Sequence, residues 1–241
     1  MEKYLYKDLH ELENRHWWHL VKRQRVINIL TKYLKKHKNR ILDIGCGTGR
    51  NLQSFEQFGS VLGIDNAKEA IEYCRAKRLN VHLASSDDTG FSSNYFDAVI
   101  LLDVLEHVEE NRTLKEIKRI LKPDKYLIIT VPAFSWLWSH WDVILHHRRR
   151  YSKESLKKIL KDNNFQILEI SYMYSFLVLP VILIRTMKAF FLKTNYGSDF
   201  ELSSPLINKI LYNLANLEII ISNKISIPFG TSIVCLASKN E

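Results

Sequence analysis

Along the 241-residue chain the apolar positions switch between two periods. Short runs of branched and aromatic residues at 40–44, 60–64, 80–84, 96–102, 125–131, 165–171 and 231–238 read as strands. Between them, helical spacing predicts helices over 49–58, 67–77, 107–121 and 153–162. Ser152 is placed to cap the last of these helices, and Pro123-Asp124 to form the turn before the fifth strand. Ahead of the first strand, residues 1–36 carry Leu5, Leu9, Leu12 and His16, then Val26, Ile27 and Leu30, at helical spacing. Strands alternating with helices predict an α/β fold built on a doubly wound parallel sheet. The expected organisation is an N-terminal helical cap at 1–39, a core of 40–171 plus 230–241, and a helical insertion at 172–229 before the last strand.

The insertion is apolar. From Tyr172 to Ile184 there is no charge, and this uncharged run of 13 residues is interrupted by Pro180. A bilayer span needs roughly 20 residues, so the run is too short to cross. Residues 207, 210, 211, 214, 217 and 221 then recur at helical spacing. Lys188 and Lys193 flank Phe190-Phe191, an arrangement suited to an anionic interface. The segment is therefore expected to meet a membrane surface or a second subunit, with burial against its own core as the alternative.

Residues 41–49, Ile-Leu-Asp-Ile-Gly-Cys-Gly-Thr-Gly, carry the sharpest local signal. A strand runs into glycines at 45, 47 and 49, and a helix follows. Such a turn lets a ligand touch bare backbone. Asp65 ends the next apolar run, where a carboxylate can accept both ribose hydroxyls of an adenosine. The pattern is G-x-G-x-G rather than the G-x-G-x-x-G of dinucleotide sites, and Asp43 stands two residues before the first glycine. A carboxylate there repels a pyrophosphate and attracts an ammonium or sulfonium. This argues against the rival reading, a nicotinamide-dependent oxidoreductase.

Further along come Asp87-Asp88, then Phe96-Asp97-Ala98-Val99-Ile100 leading to Leu102-Asp103-Val104-Leu105-Glu106-His107. In order and spacing the chain resembles the class I S-adenosylmethionine-dependent methyltransferases, from about 43 to 172 and in the last strand. The resemblance implies a Rossmann-like seven-stranded sheet with an antiparallel last strand, and S-adenosylmethionine as cofactor. It implies that Asp43, Gly45, Cys46, Gly47 and Gly49 form the loop at the amino end of the cofactor, with Asp65 and Asn66 at the ribose. Ser86 and Asp87 or Asp88 would meet the adenine, although Ser85 to Thr89 also reads as an ordinary polar loop. Leu102 and Asp103 would border cofactor and acceptor. Asn-Arg-His-Trp-Trp-His at 14–19 and His-Arg-Arg-Arg-Tyr at 147–151 resemble a type 11-like subgroup common in surface-glycan and lipid settings.

Methyl transfer to oxygen needs the acceptor's proton removed. The candidate bases are His147, His146 and His107, with His140 as a further histidine on the same sheet edge. Trp136, Trp138 and Trp141 followed by Arg148, Arg149, Arg150 and Tyr151 suggest an aromatic wall with a cationic rim. That combination suits an apolar acceptor with an anionic end. Trp138, Arg148, Arg149 and Tyr151 are the expected substrate contacts. Asp103-x-x-Glu106-His107 is also similar to the Glu-x-x-Glu-His metal motif of small-RNA 2′-O-methyltransferases and some quinone-pathway O-methyltransferases, with His147 as the distal ligand. Asp at the first position departs from that motif, and a metal-free site is the primary expectation.

The formal charge of +9 is spread over helix faces, with neither a basic stripe nor an aromatic-glycine RNA-binding pattern. No nucleic-acid partner is expected. Three scattered cysteines fit a reducing compartment, and the first fifteen residues are too charged for a secretory signal. The expected location is the cytoplasm, in part at the inner face of the membrane. The expected activity is methylation, most readily O-methylation, of a small-molecule or lipid- or glycan-linked acceptor.

Overall fold

The computed structural model describes residues 12–35, 37–183, 204–222 and 224–240. The sequence features at Leu5, Leu9, Lys188, Phe190, Phe191 and Lys193 lie outside them. A single sheet of seven strands organises the chain: β1 Asn39–Ile44, β2 Gly59–Asp65, β3 Val81–Leu83, β4 Phe96–Leu102, β5 Leu121–Pro132, β6 Phe165–Met173 and β7 Ser232–Lys239. Their order is β3-β2-β1-β4-β5-β7-β6. The first five are parallel, and β7 runs antiparallel between β5 and β6. The order reverses at β1 and β4, so the loops after these strands open at a switch point, where α/β sheets bind ligands.

Both faces of the sheet are covered, so the central strands read as continuous apolar runs rather than alternating ones. Ile41, Ile100 and Ile128 face one layer, built from α1 Trp17–Tyr33, α2 Arg50–Phe55, α3 Lys68–Ala76 and α7 Pro205–Ser222. Leu42, Ile44, Val99 and Ile129 face the other, against α4 Glu110–Ile120 and α6 Lys153–Asp162. A short helix, α5 His140–Ile144, follows β5.

Two boundaries depart from the sequence reading. Helix α4 starts at Glu110 rather than 107, because Glu109 caps it by accepting from the amides of Asn111 (3.3 Å) and Arg112 (2.6 Å). Residues 103–109 instead form a turn, entered through Asp103 at φ 56°. Pro123-Asp124 does not precede β5 but lies inside it. The register jumps from Phe96↔Leu121 to Ala98↔Tyr126, and Asp124 takes φ 57°, so the expected turn is absorbed as a bulge. Ser152 caps α6 as predicted, accepting from the Ser155 amide at 3.1 Å.

The loop after β3 is tied down by Glu116 of α4. Its carboxylate takes the Thr89 amide (3.0 Å) and hydroxyl (2.5 Å) and a bidentate bond from Arg119 (2.7 Å each). Burial alone would raise its pKa, but these donors outweigh it and hold the carboxyl at about 2. A depressed folded-state pKa gives stability that is complete above the ordinary value of 4.5 and is lost as pH falls towards 2. Glu116→Gln is therefore expected to destabilise most at neutral pH. In chemical unfolding, the gap between wild type and variant should narrow steadily from about pH 6 to about pH 3. A gap independent of pH would mean that the loop does not depend on the ionised carboxylate.

Candidate active site

The glycine loop joins β1 to α2. Gly45 has φ 73°, and a Cβ there would lie 2.4 Å from a Val104 methyl. Gly49 caps α2 at φ 82°, where a Cβ would meet Leu79 and Cys74 at 2.5 and 2.7 Å. Both positions therefore exclude side chains by conformation and by space. Asp65, at the end of β2, braces the loop: its carboxylate accepts from the Gly47 amide (3.0 Å) and the Ala67 amide (2.9 Å). Each oxygen keeps a second acceptor position for a ligand hydroxyl. Asn66 follows, exposed.

Beneath the loop, acidic groups surround Asp43. Asp43 is 1% exposed, and its Oδ2 has no hydrogen-bond partner among the described residues. Burial raises its pKa strongly, and the nearby carboxylates of Glu13 and Asp65 raise it further. Asp65 and Glu13 are themselves pushed up by burial. Glu13 accepts from the Thr48 hydroxyl, bringing the N-terminal segment onto the loop. Arg23, Lys77 and Arg50 lie near Glu13, whereas the charges acting on Asp43 are acidic. A ligand bearing ammonium and sulfonium groups fits it, and a pyrophosphate does not. Cys46 turns inward: it is 3% exposed, beside Cys74 and Gly63. Ser86 bonds Thr113 at 3.0 Å, whereas Asp87 is exposed and takes the Ser85 hydroxyl.

The second half of the site lies in the turn after β4. Leu102 ends the strand. The Asp103 carboxylate accepts from Lys22 of α1 and from the Thr130 hydroxyl (3.0 Å). Lys22 is buried, with its ammonium 3.1 Å from the centroid of the Trp18 ring. Its burial, set against the attraction of Glu106, lowers its pKa well below the ordinary value. The sequence reading missed Lys22 because a lysine in an amphipathic helix reads as a solvated one. Its one sequence signal is the spacing of four residues from Trp18.

Glu106 is fully buried, and neither of its oxygens has a hydrogen-bond partner among the described residues. Burial raises its pKa to about 8. His107 and His147 stand beside it, ring centroids 4.8 Å apart and nearly perpendicular. The His107 Nδ1 faces the His146 carbonyl oxygen at 3.4 Å, and burial followed by the His147 charge lowers its pKa to about 4. The His147 Nδ1 is 2.8 Å from Asp142 Oδ1, and its Nε2 is 4.0 Å from Glu106 Oε1. His146 itself is exposed, at φ 58°, and His140 is also exposed.

The basic segment divides in a way that the sequence did not reveal. Asp142 takes Arg150 in a bidentate bond (2.7 and 3.0 Å), together with His147 and the Ser139 amide (2.7 Å). Although burial pushes its pKa up, His147 and Arg150 hold Asp142 well below the usual carboxylate range. Arg149 pairs with Glu110. Tyr151 is 3% exposed, and its hydroxyl lies 2.6 Å from Glu110 and 3.2 Å from the Leu105 carbonyl. Of the expected substrate contacts, Tyr151 is thus buried and bonded within the protein, and Arg149 is paired with Glu110 while partly exposed. Arg148 remains exposed without an ion-pair partner among the described residues, and Trp136 and Trp138 are also exposed. Trp17, by contrast, is a core residue against Tyr174.

The family model for the methyltransferase domain matches residues 9–170, two-thirds of the sequence, and the chain belongs to that family. Its fold is that of the class I S-adenosylmethionine-dependent methyltransferases, and S-adenosylmethionine is the cofactor of this class. An S-adenosylmethionine-dependent methyltransferase from Archaeoglobus fulgidus superposes with a TM-score of 0.60 at 21% identity, over 96% of this chain and 99% of that one. A Haemonchus contortus phosphoethanolamine N-methyltransferase gives 0.58 at 20%, over 90% of this chain and 52% of its own. In sequence, an uncharacterized Methanocaldococcus jannaschii protein is 31% identical over 55% of this chain and 60% of its own length. The Bos taurus probable tRNA methyltransferase 9B is 31% identical over 46% of this chain and 26% of its own. Aspergillus sclerotiorum O-methyltransferase resE is 27% identical, over 54% and 55%. The chain thus spans less than two-thirds of the length of each of these curated relatives.

The division of the arginines can be measured. Arg150→Ala leaves Asp142 buried and short of its partner, a loss expected at about 3–5 kcal/mol in urea unfolding. Arg148→Ala, at an exposed position, should stay within about 0.5 kcal/mol of wild type. Equal effects would contradict the assignment of Arg150 as an internal tie.

Proposed function

We propose that the protein methylates an oxygen of a small or lipid-linked acceptor, with the acceptor seated at the Glu106–His107–His147 cluster. The observation that carries this reading is the contact between the two halves of the site. Val104, within the turn that bears Glu106 and His107, packs directly on Gly45 of the cationic-ligand loop. When bound, S-adenosylmethionine supplies a methyl carbon already activated by its sulfonium. Asp43 and the glycine amides hold its amino acid end, and Asp65 its ribose. The chain's further contribution is alignment and removal of the acceptor's hydroxyl proton. The histidine pair, with His147 oriented by Asp142, stands where that proton is lost. The one-sided acid around Asp43 supports this reading over the nicotinamide alternative.

The purified protein should bind S-adenosylhomocysteine in calorimetry and show no heat with NAD. Asp65→Ala removes charge-assisted contacts of about 1.5–3 kcal/mol each, which implies at least about tenfold weaker binding. NAD binding without S-adenosylhomocysteine binding would falsify the cofactor assignment for this chain.

The lipid-linked part of the reading is supported by α7. Its inner side packs on α1, with the Asn208 carbonyl taking the Trp17 amide at 2.9 Å, and Glu218 is buried against Tyr174 and Ser175. Its outer side is apolar: Leu206 is 68% exposed, and Ile210, Leu214, Leu217 and Ile221 are exposed with it. Lys209 on the helix and Lys224 just beyond it are exposed, and the helix carries no exposed acid, which favours an anionic membrane. No helix among the described residues is long and apolar enough to cross a bilayer, so the contact would be peripheral. In flotation, vesicles containing phosphatidylglycerol should carry the protein upward, and Leu214→Glu with Leu217→Glu should abolish this. A protein that stays behind but sediments as a dimer would assign the face to a second copy. Labelled-methyl transfer into the RNA fraction of an extract, rather than the lipid fraction, would overturn the lipid-linked acceptor.

A further inference from the structure

We propose that Lys22 is itself a methyl acceptor, methylated at Nζ by the S-adenosylmethionine bound to its own chain. The amine is held where the two halves of the site meet. It donates to the carboxylate of Asp103, the first residue after β4, whose other oxygen accepts from the Thr130 hydroxyl at 3.0 Å. Val104, the next residue, packs on Gly45 of the glycine loop. A methyl donor on that loop is thus one residue away from the carboxylate that holds the amine. The Lys22 side chain is 6% exposed and that of Asp103 22%, so the pair opens on its Asp103 side. That side belongs to the strand ends at the switch point, where α/β sheets bind ligands.

A second, independent observation is the aromatic seat under the amine. Trp18, one turn earlier on α1, sets its ring centroid 3.1 Å from Nζ. Tyr174 fixes this part of α1 by donating its hydroxyl to the Trp18 carbonyl at 3.0 Å, with its ring tilted against that of Trp18. An ion pair with Asp103 needs no such seat. Aromatic faces hold methylated ammonium groups as well as the parent cation, so the seat accepts the product of the step.

An amine attacks only in its neutral form. Burial, set against the attraction of Glu106, already lowers the Lys22 pKa well below its ordinary value. The sulfonium of the bound cofactor brings a further positive charge to the site and disfavours the ammonium again. The ammonium proton passes to the Asp103 carboxylate, which already accepts its hydrogen bond, and from there to water on the exposed side. The nitrogen lone pair then forms a bond to the methyl carbon while the carbon–sulfur bond breaks and its electron pair stays on sulfur. The products are S-adenosylhomocysteine and a methylated ammonium, so the positive charge leaves sulfur and ends on nitrogen. No other reactant is needed. Each methyl added replaces one N–H donor, and full methylation would release Asp103. The step rests on the cofactor of the class and not on the O-methylation proposed above.

The test uses the purified full chain, incubated with S-adenosylmethionine that carries a deuterated methyl group and with no acceptor added. Intact mass should rise by at least one methyl group per chain, and peptide mapping should place it on Lys22. The total methyl on Lys22, labelled or carried over from expression, is the quantity read. Excess S-adenosylhomocysteine should stop the labelling, and the rate per chain should not change on dilution, because a buried amine reacts within its own molecule. Lys22→Arg keeps a cation beside Asp103 and should lose the label. S-adenosylhomocysteine binding by the variant reports that it is folded, and the mapping in wild type identifies the site without it. A wild-type chain that binds S-adenosylhomocysteine yet carries no methyl on Lys22, or carries methyl on exposed lysines alone, would overturn the proposal, leave Lys22 as an ion pair and leave the cofactor assignment standing. A chain that neither binds S-adenosylhomocysteine nor gains methyl would lose both.

Discussion

Buried negative charge along one edge of the sheet is the constraint on which the rest of the molecule depends. Glu13, Asp43, Asp65 and Glu106 are all buried there, and burial raises the pKa of each. A domain selected only for stability would pair such groups or replace them with apolar ones. Here the available cations are only partly used for pairing. Lys22 is given to Asp103, and Arg23 reaches the Glu13 carbonyl (2.7 Å) and Asn51 (3.1 Å) rather than a carboxylate. The remaining buried acid lies at the glycine loop and at the turn after β4.

Helix α1 makes this arrangement possible, and its role is electrostatic as much as apolar. Trp17, Val21, Val26 and Leu30 bury its inner face. Between them sit Lys22, Arg23 and Arg25, each at 6% exposure or less. Long basic side chains lay their stems along apolar surface while carrying charge to a distant partner. Lys22 thereby reaches across to the end of β4. Arg25 reaches Glu169 on β6 at 3.5 Å. The helix is thus fastened to opposite parts of the sheet by ion pairs whose partners lie far away in sequence. It holds Glu13 against the glycine loop, through Arg23 on the Glu13 carbonyl and Thr48 on its carboxylate.

The strands were legible because a sheet covered on both faces leaves its apolar runs uninterrupted, and the glycine loop because its backbone forbids side chains. Errors arose where local pattern and tertiary pairing disagree. The helical spacing at 107–109 was real, but Glu109 capped the helix first; Pro123-Asp124 is a turn signal that pairing with β4 turned into a bulge. Side-chain direction was illegible. His147 to Tyr151 reads as a uniform basic rim, yet Arg149, Arg150 and Tyr151 point inward to Glu110 and Asp142. Asp142 carried one readable hint, its spacing from Ser139 as a capping box. Its bonds to His147 and Arg150 depend on the loop folding back after α5, which no spacing announces.

The contrast between Asp103 and Glu106 shows how one turn sorts its charges. Asp103 takes a left-handed backbone conformation, which directs its carboxylate to Lys22 and Thr130, and its charge is balanced within the protein. Three residues later Glu106 stands beside His147 and His107, with neither oxygen hydrogen-bonded among the described residues. Val104 lies between them and presses on Gly45. The demand for glycine at 45 therefore comes from the turn after β4 as well as from the φ of the loop itself. A side chain there would push against the turn that sets Glu106 and His107, so the glycine loop and that turn are not independent parts. They meet through the loops after β1 and β4, paired neighbours in the sheet and the two strands at which it reverses its order.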